Sequence, residues 1–216
     1  PRHGRPTMIV SEPYGFLFVA NLRTGSTSIH HALQPIATIA FDGTERGKHL
    51  SLAEITERFG AQRISRLYKW AVIRDPLEYL WSLYALHQRA EFDGMPSSTR
   101  GRSFDEFYSA RSELWLPMSQ AARFADPAGT YGLDLLIRFE HLREGFSYLK
   151  FRLGLPSLLL PRLNTSALPP TGISPALAER IRSDYAVDYD CIARYGDRER
   201  VSGAFELVLR PTAPAS

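Results

Sequence analysis

Apolar positions along the chain fall into short continuous runs and stripes of helical spacing. Phe16 to Ala20 is a near-continuous apolar run, the pattern of a strand buried on both faces. The helix after it begins near Ser26 and ends by Pro35, with Ile29, Ala32 and Leu33 facing inward. Residues 36–41 read as a second strand. Ser51-Leu52-Ala53-Glu54 has the form of a capping box, and Gly60 stops the helix it opens. Leu67 to Ile73 is the next strand. Asp75 can cap the following helix with Pro76 at its first position, and Leu77, Leu80, Trp81 and Tyr84 form an apolar stripe along it. Ser103-Phe104-Asp105-Glu106 is another capping box, and a further helix is expected from Glu113 to Phe124. Leu133 to Phe139 is a third strand, followed by a helix through Leu153 that stops at Gly154-Leu155-Pro156. Ser174-Pro175 opens a last helix through Ile181. Strands alternating with helices predict an α/β layer fold with a parallel sheet, whose ligands sit at the carboxyl ends of the strands.

Two of those strand ends carry the same chemistry. The first leads into Asn21-Leu22-Arg23-Thr24-Gly25-Ser26-Thr27-Ser28, a cation and consecutive hydroxyls at a helix start. The second, at Ile73-Arg74-Asp75-Pro76, repeats the plan, and Ser82 lies farther along its helix. Helix N-termini bind anions through free N–H groups and the helix dipole, and guanidinium forks add bidentate contacts. Asp75 and Ser82 lie on one helix face about 10 Å apart along the axis, so a phosphate beside the first two turns can meet Arg74 and Ser82 together. The competing assignment is an Arg74–Asp75 surface pair with Ser82 in solvent. Together the two turns describe a site for a ligand with two separate anionic groups. A nucleotide-triphosphate loop needs G-x-x-x-x-G-K-[ST]; here Ala20 replaces the first glycine and Ser26 the lysine, which disfavours a kinase.

The length of 216 residues suits one domain, with a core from about 14 to 200 and a loose C-terminal tail. A net charge of +3 fits an anionic small ligand as well as nucleic acid. The single cysteine, Cys191, leaves no internal disulfide or multi-cysteine metal site, and it fits a reducing compartment. No apolar run is long enough to span a bilayer. The polar start, Pro1 to Pro6, lacks a signal peptide's hydrophobic stretch, so a cytoplasmic location is expected, although a trimmed N-terminal anchor is compatible with it.

The chain resembles the PAPS-dependent sulfotransferases, most of all the carbohydrate sulfotransferases. Asn21 to Ser28 is similar to the family's 5′-phosphosulfate loop, and Val72-Ile73-Arg74-Asp75-Pro76 with Ser82 to its 3′-phosphate motif. The likeness continues in Lys48-His49-Leu50-Ser51-Leu52-Ala53-Glu54-Ile55, Ile137-Arg138-Phe139-Glu140-His141-Leu142, Leu153-Gly154-Leu155-Pro156 and Leu163-Asn164-Thr165-Ser166, over roughly residues 16 to 196. The resemblance implies a P-loop-like three-layer fold with a central parallel sheet flanked by helices. It also implies 3′-phosphoadenosine 5′-phosphosulfate (PAPS) as co-substrate without a metal and a carbohydrate or other small acceptor hydroxyl; a nucleic-acid partner is not expected, because the cations sit at two turns and not along an aromatic-studded surface. On this reading Arg23, Thr24, Gly25, Ser26, Thr27 and Ser28 hold the phosphosulfate, and Arg74 and Ser82 hold the 3′-phosphate. Arg23 stands where the family usually has a lysine that assists the leaving group. His49, just before the capping box, matches the family's proposed base; Lys48 and the helix dipole both disfavour its imidazolium form. The alternatives are a protein that binds PAPS or its product PAP (3′-phosphoadenosine 5′-phosphate) without transfer, and a small-molecule kinase.

Other residues are expected to be structural. His30 and His31 lie off the inward face of the first helix, His87 and His141 pack, and Glu54 completes the Ser51 cap. Arg138 either approaches the nucleotide or forms an ion pair. Asn164 to Ser166 is placed near the nucleotide by resemblance. Trp70, Trp81 and Trp115 are core candidates, any of which can instead stack on adenine or a sugar.

Overall fold

A computed structural model describes residues 6–42, 50–110, 119–161 and 172–209. Among the described residues seven strands build one sheet: β1 (Pro6–Ser11), β2 (Phe16–Val19), β3 (Ile39–Asp42), β4 (Tyr68–Ile73), β5 (Leu135–Arg138), β6 (Arg198–Val201) and β7 (Ala204–Leu207). Their spatial order is β3-β1-β2-β4-β5-β6-β7. Strands therefore lie on both sides of residues 14–200.

The expectation of a parallel sheet is corrected: the sheet is mixed. Only β2, β4 and β5, at its centre, run parallel. β1 pairs antiparallel with β2 and β3, and β6 antiparallel with β5 and β7. Short turns account for two of the antiparallel pairs, β1 with β2 and β6 with β7, whereas the parallel neighbours are joined by helical crossovers. Ser202 and Gly203, the two-residue loop between Val201 and Ala204, both have positive φ, 50° and 90°. That is the backbone a tight hairpin requires.

Helices cover both faces of the sheet. They are α1 (Ser26–Leu33), α2 (Leu52–Phe59), α3 (Ala61–Ser65), α4 (Pro76–His87), α5 (Phe104–Ser109), α6 (Leu142–Arg152), α7 (Pro175–Asp184) and α8 (Ala186–Tyr195). Alternate residues of the strands feed two cores. Met8, Val10, Leu17, Val19, Ala71, Ile73 and Leu136 pack with Leu52 and Ile55 of α2, Ile64 of α3 and Cys191 of α8. Ile9, Phe16, Phe18, Trp70, Val72 and Ile137 pack with Ile29 and Leu33 of α1 and with Phe146 and Leu149 of α6. A third cluster joins α4, α5 and α7 through Tyr79, Leu80, Leu83, Phe104, Phe107, Leu177 and Ile181.

The local signals set the helix ends. Ser51 and Ser103 each form a full capping box, with Glu54 and Glu106. Asp75 caps α4 by accepting from the N–H groups of Leu77 and Glu78. The stripe expected on α4 packs against the third cluster, with Leu80 buried and Leu77, Trp81 and Tyr84 partly buried; the helix also buries Pro76, Tyr79, Ser82 and Leu83, so its covered surface is wider than the stripe. The helix expected over 113–124 appears, among the described residues, as a single 3-10 turn at Ala121–Phe124. The helix opened by Ser174 is followed by one more, α8. Trp70 is buried against Phe18, at 4.5 Å between ring centroids, and Trp81 packs on Tyr84 and Phe104. Trp115 and the tail from residue 210 lie outside the described residues. No helix among the described residues is long and apolar enough to cross a membrane.

One buried carboxylate ties β6 to the rest. Glu199, 3% exposed, accepts from the hydroxyls of Tyr68 and Tyr148 and from Arg152 Nε at 2.8 Å. Burial alone would raise its pKa; the bonds from Tyr148 and Tyr68 and the Arg152 charge outweigh burial and hold it below the ordinary value. Its contribution is therefore present at neutral pH and lost as pH falls through that lowered pKa. Glu199→Gln should cost about 1–3 kcal/mol at neutral pH, because Arg152 loses its charge partner and a tyrosine hydroxyl its acceptor. Urea unfolding checks this, and a midpoint equal to that of the parent would refute it.

Candidate active site

The parallel register sets the site. Val19 pairs with Ala71 and Ile73 with Arg138, so β2, β4 and β5 end side by side. The turn after β2 is built by two left-handed residues, Arg23 (φ 56°) and Gly25 (φ 76°). The positive φ at Gly25 demands glycine, and a Cβ there would lie 2.7 Å from Leu142 Cδ2 and force that side chain to shift. Gly25 caps α1 without a side-chain hydrogen bond, which leaves the helix's first N–H groups without the side-chain cap seen on α2, α4 and α5.

This turn opens on a cavity of about 500 Å³, within the range of small-ligand sites. One wall holds Arg23, Gly25, Ser26, Thr27 and Ser28, and a second holds Arg74 and Ser82. Phe139, Glu140, Leu142, Arg143 and Glu144 come from the turn after β5, and Leu160 and Pro161 from the segment beyond α6. Thus Arg23 and Arg74, expected at separate turns, face one space. Another depression, of about 580 Å³ between α2, α3 and Pro127, carries Glu54 and Glu57 and no basic side chain, so it does not suit an anion.

Several expected ligand groups already bind each other. Arg23 Nε donates to Ser82 Oγ at 2.9 Å, so Ser82 meets the first cation rather than standing beside Arg74 alone. Arg74, 5% exposed, lies over the Phe139 ring at 4.5 Å and donates from Nε and Nη2 to Glu78 Oε2, both at 3.3 Å. Asp75 is spent on the helix cap, so the Arg74–Asp75 surface pair does not form. Thr24 is fully buried, with Oγ1 donating to the Asn21 carbonyl at 2.9 Å; it closes the turn and does not line the cavity. His49 and Lys48, and likewise Asn164 to Ser166, lie outside the described residues.

Arg138 pairs with Glu140 at 3.5 Å, and its N–H donates to Asp197. Asp197 also holds His141 Nδ1 at 2.6 Å, so the third turn is fixed by one buried carboxylate. His87 stacks on Phe92 and bonds the Ser97 carbonyl through Nδ1. Burial first, with the Arg23 charge adding and the Ser97 bond opposing, lowers its pKa. Among the described residues no cluster of histidine, cysteine, aspartate and glutamate could hold a metal ion.

Sequence reasoning missed two polar contributors. Arg143 brings a third guanidinium to the cavity; the signal was a third strand–turn–helix unit, from Leu135 through Leu142, with a cation at its helix start. Gln120 is buried between the first two turns and has no local signal, since its partners lie 46 and 99 residues away. Comparison with protein-family models, with curated proteins and with solved structures finds no match for this chain.

His30, expected to be structural, is 5% exposed, and its Nε2 finds no hydrogen-bond partner among the described residues. Only His31 of α1 is exposed, so the helix is covered over most of its circumference. Burial, with His31 adding, lowers the His30 pKa from 6.5 to about 4. The unfolded chain then takes up a proton that the folded one refuses, and stability falls as pH drops from about 6.5 towards about 4. His30→Leu should flatten that decline. Urea unfolding across the window checks it, and a slope equal to the parent's would contradict it.

Glu78 is the anion that Arg74 holds in this structure, and it is half-exposed. Glu78→Gln should strengthen binding of inorganic phosphate by roughly 1.4- to fivefold at low salt, since the displaced charge is worth about 0.2–1 kcal/mol. Calorimetry reads it, and weaker binding would count against it.

Proposed function

We propose that the chain is a PAPS-dependent sulfotransferase acting on an acceptor hydroxyl, with carbohydrate the favoured acceptor class. The observation that carries this reading is that Arg23 and Arg74 line one cavity with the hydroxyls of Ser26, Thr27 and Ser28. The 3′-phosphate and 5′-phosphosulfate of PAPS hang from a single ribose, so the groups that hold them must be neighbours. A sheet with a parallel centre, helices on both faces and an anion turn between β2 and α1 supports a P-loop-like assignment of the fold.

In the proposed reaction the acceptor oxygen attacks sulfur as the bond from sulfur to the bridging phosphate oxygen breaks. The acceptor proton passes to His49, which is assigned on sequence alone, and PAP leaves. Arg23 and the amino end of α1 stabilise the charge that develops on the departing oxygen. Arg74, stacked on Phe139, takes the 3′-phosphate once Glu78 yields. A sulfuryl group carries less charge than a phosphoryl group, so fixed cations and N–H donors suffice. Alignment supplies the rest of the rate.

A second reading, PAP or PAPS binding without transfer, rests on Arg23 standing in the lysine position. Transfer of radiolabelled sulfate from PAPS to a panel of sugars separates the two. Arg23→Ala and His49→Ala should each lower turnover by about 10²-fold or more, and Arg74→Ala should chiefly weaken PAP binding. Tight PAP binding without acceptor-dependent release would favour the second reading. Dependence on ATP and magnesium would replace both with a kinase.

A further inference from the structure

The two cationic turns touch directly, through Arg74 Nη1 on the Arg23 carbonyl at 3.5 Å and Arg23 Nε on Ser82, and a side chain belonging to neither adds a set of buried bonds between them. Gln120 is 1% exposed and sits at the start of the 3-10 turn before Phe124. Its Oε1 accepts from Asn21 Nδ2 and from the Arg74 N–H, each at 3.2 Å, and its Nε2 donates to the Arg74 carbonyl at 2.8 Å. One carboxamide thus satisfies both main-chain groups of Arg74 and reaches the first residue of the other turn. Asn21 in turn accepts from the Leu22 N–H at 3.0 Å, which carries the link into the loop that bears Arg23.

Gln120 is itself held. Asp188 of α8, fully buried, accepts from the N–H groups of Gln120 and Ala121, each at 2.9 Å, and from the Ser119 hydroxyl. Beyond Val19 and Ile73 the strand ladder has ended, so backbone pairing no longer sets the distance between the turns. The carboxamide takes over where the ladder stops.

From this we infer that Gln120 is a positioning residue: it sets the spacing of the Arg23 and Arg74 turns so that a single ligand with two anionic groups engages both. The inference rests on the reading of the cavity as a PAP site, and it makes a demand that a merely stabilising residue would not. Loss of the clamp should harm a ligand that spans both turns far more than an anion that fills one.

The test compares the parent, Gln120→Leu and the stability control Glu199→Gln, with PAP and inorganic phosphate as probes in calorimetry. Gln120→Leu should weaken PAP binding about tenfold or more, because buried partners lose their bonds, while phosphate binding changes by less than about threefold. Glu199→Gln should leave the ratio of the two affinities unchanged. Equal weakening of both probes in Gln120→Leu, or no change in either, would overturn the inference. Should Gln120→Leu not fold, Gln120→Met removes the same hydrogen bonds with an unbranched side chain of similar volume, and the same fall of about tenfold or more in the PAP-to-phosphate ratio is expected. Amide hydrogen exchange without ligand separates this inference from the proposed function. If the parent binds no PAP, the sulfotransferase reading fails. The clamp still stands if Gln120→Leu speeds exchange at residues 21–25 and 74–78 beyond Glu199→Gln, and it falls if it does not.

Discussion

Everything at the cavity depends on the parallel pairing of β2 with β4. The register Phe18 to Trp70 and Val19 to Ala71 fixes where each strand ends, so the first residues beyond them emerge side by side. Burial enforces that register. Phe16 to Val19 and Trp70 to Ile73 are all buried, and a slip of one residue would exchange the two inward faces between unlike sets of helices. The same logic extends to β5: because Ile73 pairs with Arg138, Phe139 comes beside Arg74, and the ring under the guanidinium follows from the ladder. The cation at the cavity is therefore set by hydrophobic packing deeper in the sheet.

Past the strand ends, buried polar side chains do what the ladder cannot. Gln120 bonds Asn21 and Arg74, and Asp197 bonds the Arg138 N–H and His141. Asp188 holds the segment that carries Gln120. Each is buried with its partners in place, the condition under which a polar group in a core fixes one arrangement. Asp188 and Asp197 come from the last third of the chain, which explains why α8 and the approach to β6 belong to the architecture of the site while contributing nothing to the cavity wall.

The legible parts of the fold were those with strong local chemistry. The apolar run at Phe16, the capping boxes at Ser51 and Ser103, and the Asp75-Pro76 start each depend on neighbours in sequence, and each forms. The hidden parts depend on distant partners. β6 and β7 alternate charged and apolar residues weakly, and their Ser202-Gly203 turn is a two-residue signal easily passed over. α8 buries Asp188 on the face where a stripe of apolar residues would have marked it. On α4 the cavity claims Ser82 while the third core claims Tyr79 and Leu83 as well as the expected stripe, so the helix is covered over a wider arc than one stripe describes. At the site, the turns bearing Arg23 and Arg74 were legible because their residue types announce anion chemistry; Gln120 was not, since an isolated glutamine announces nothing.

The arginine at position 23 has a geometric rationale. A lysine gathers its three donors at one nitrogen, whereas a guanidinium spreads five N–H groups around a plane. Arg23 uses its Nε to hold Ser82 of α4 and still lines the cavity, so a single side chain joins the first turn to the second helix. An ammonium group would have to take that hydroxyl and its anion from the same point. Spreading the charge weakens attraction for any one oxygen, yet anchoring it removes the reorganisation a free lysine would undergo. In the sulfuryl transfer proposed above, which relies on cations already in place when charge develops, the second effect opposes the first. The Ser82 bond thus holds the Arg23 guanidinium at the cavity wall.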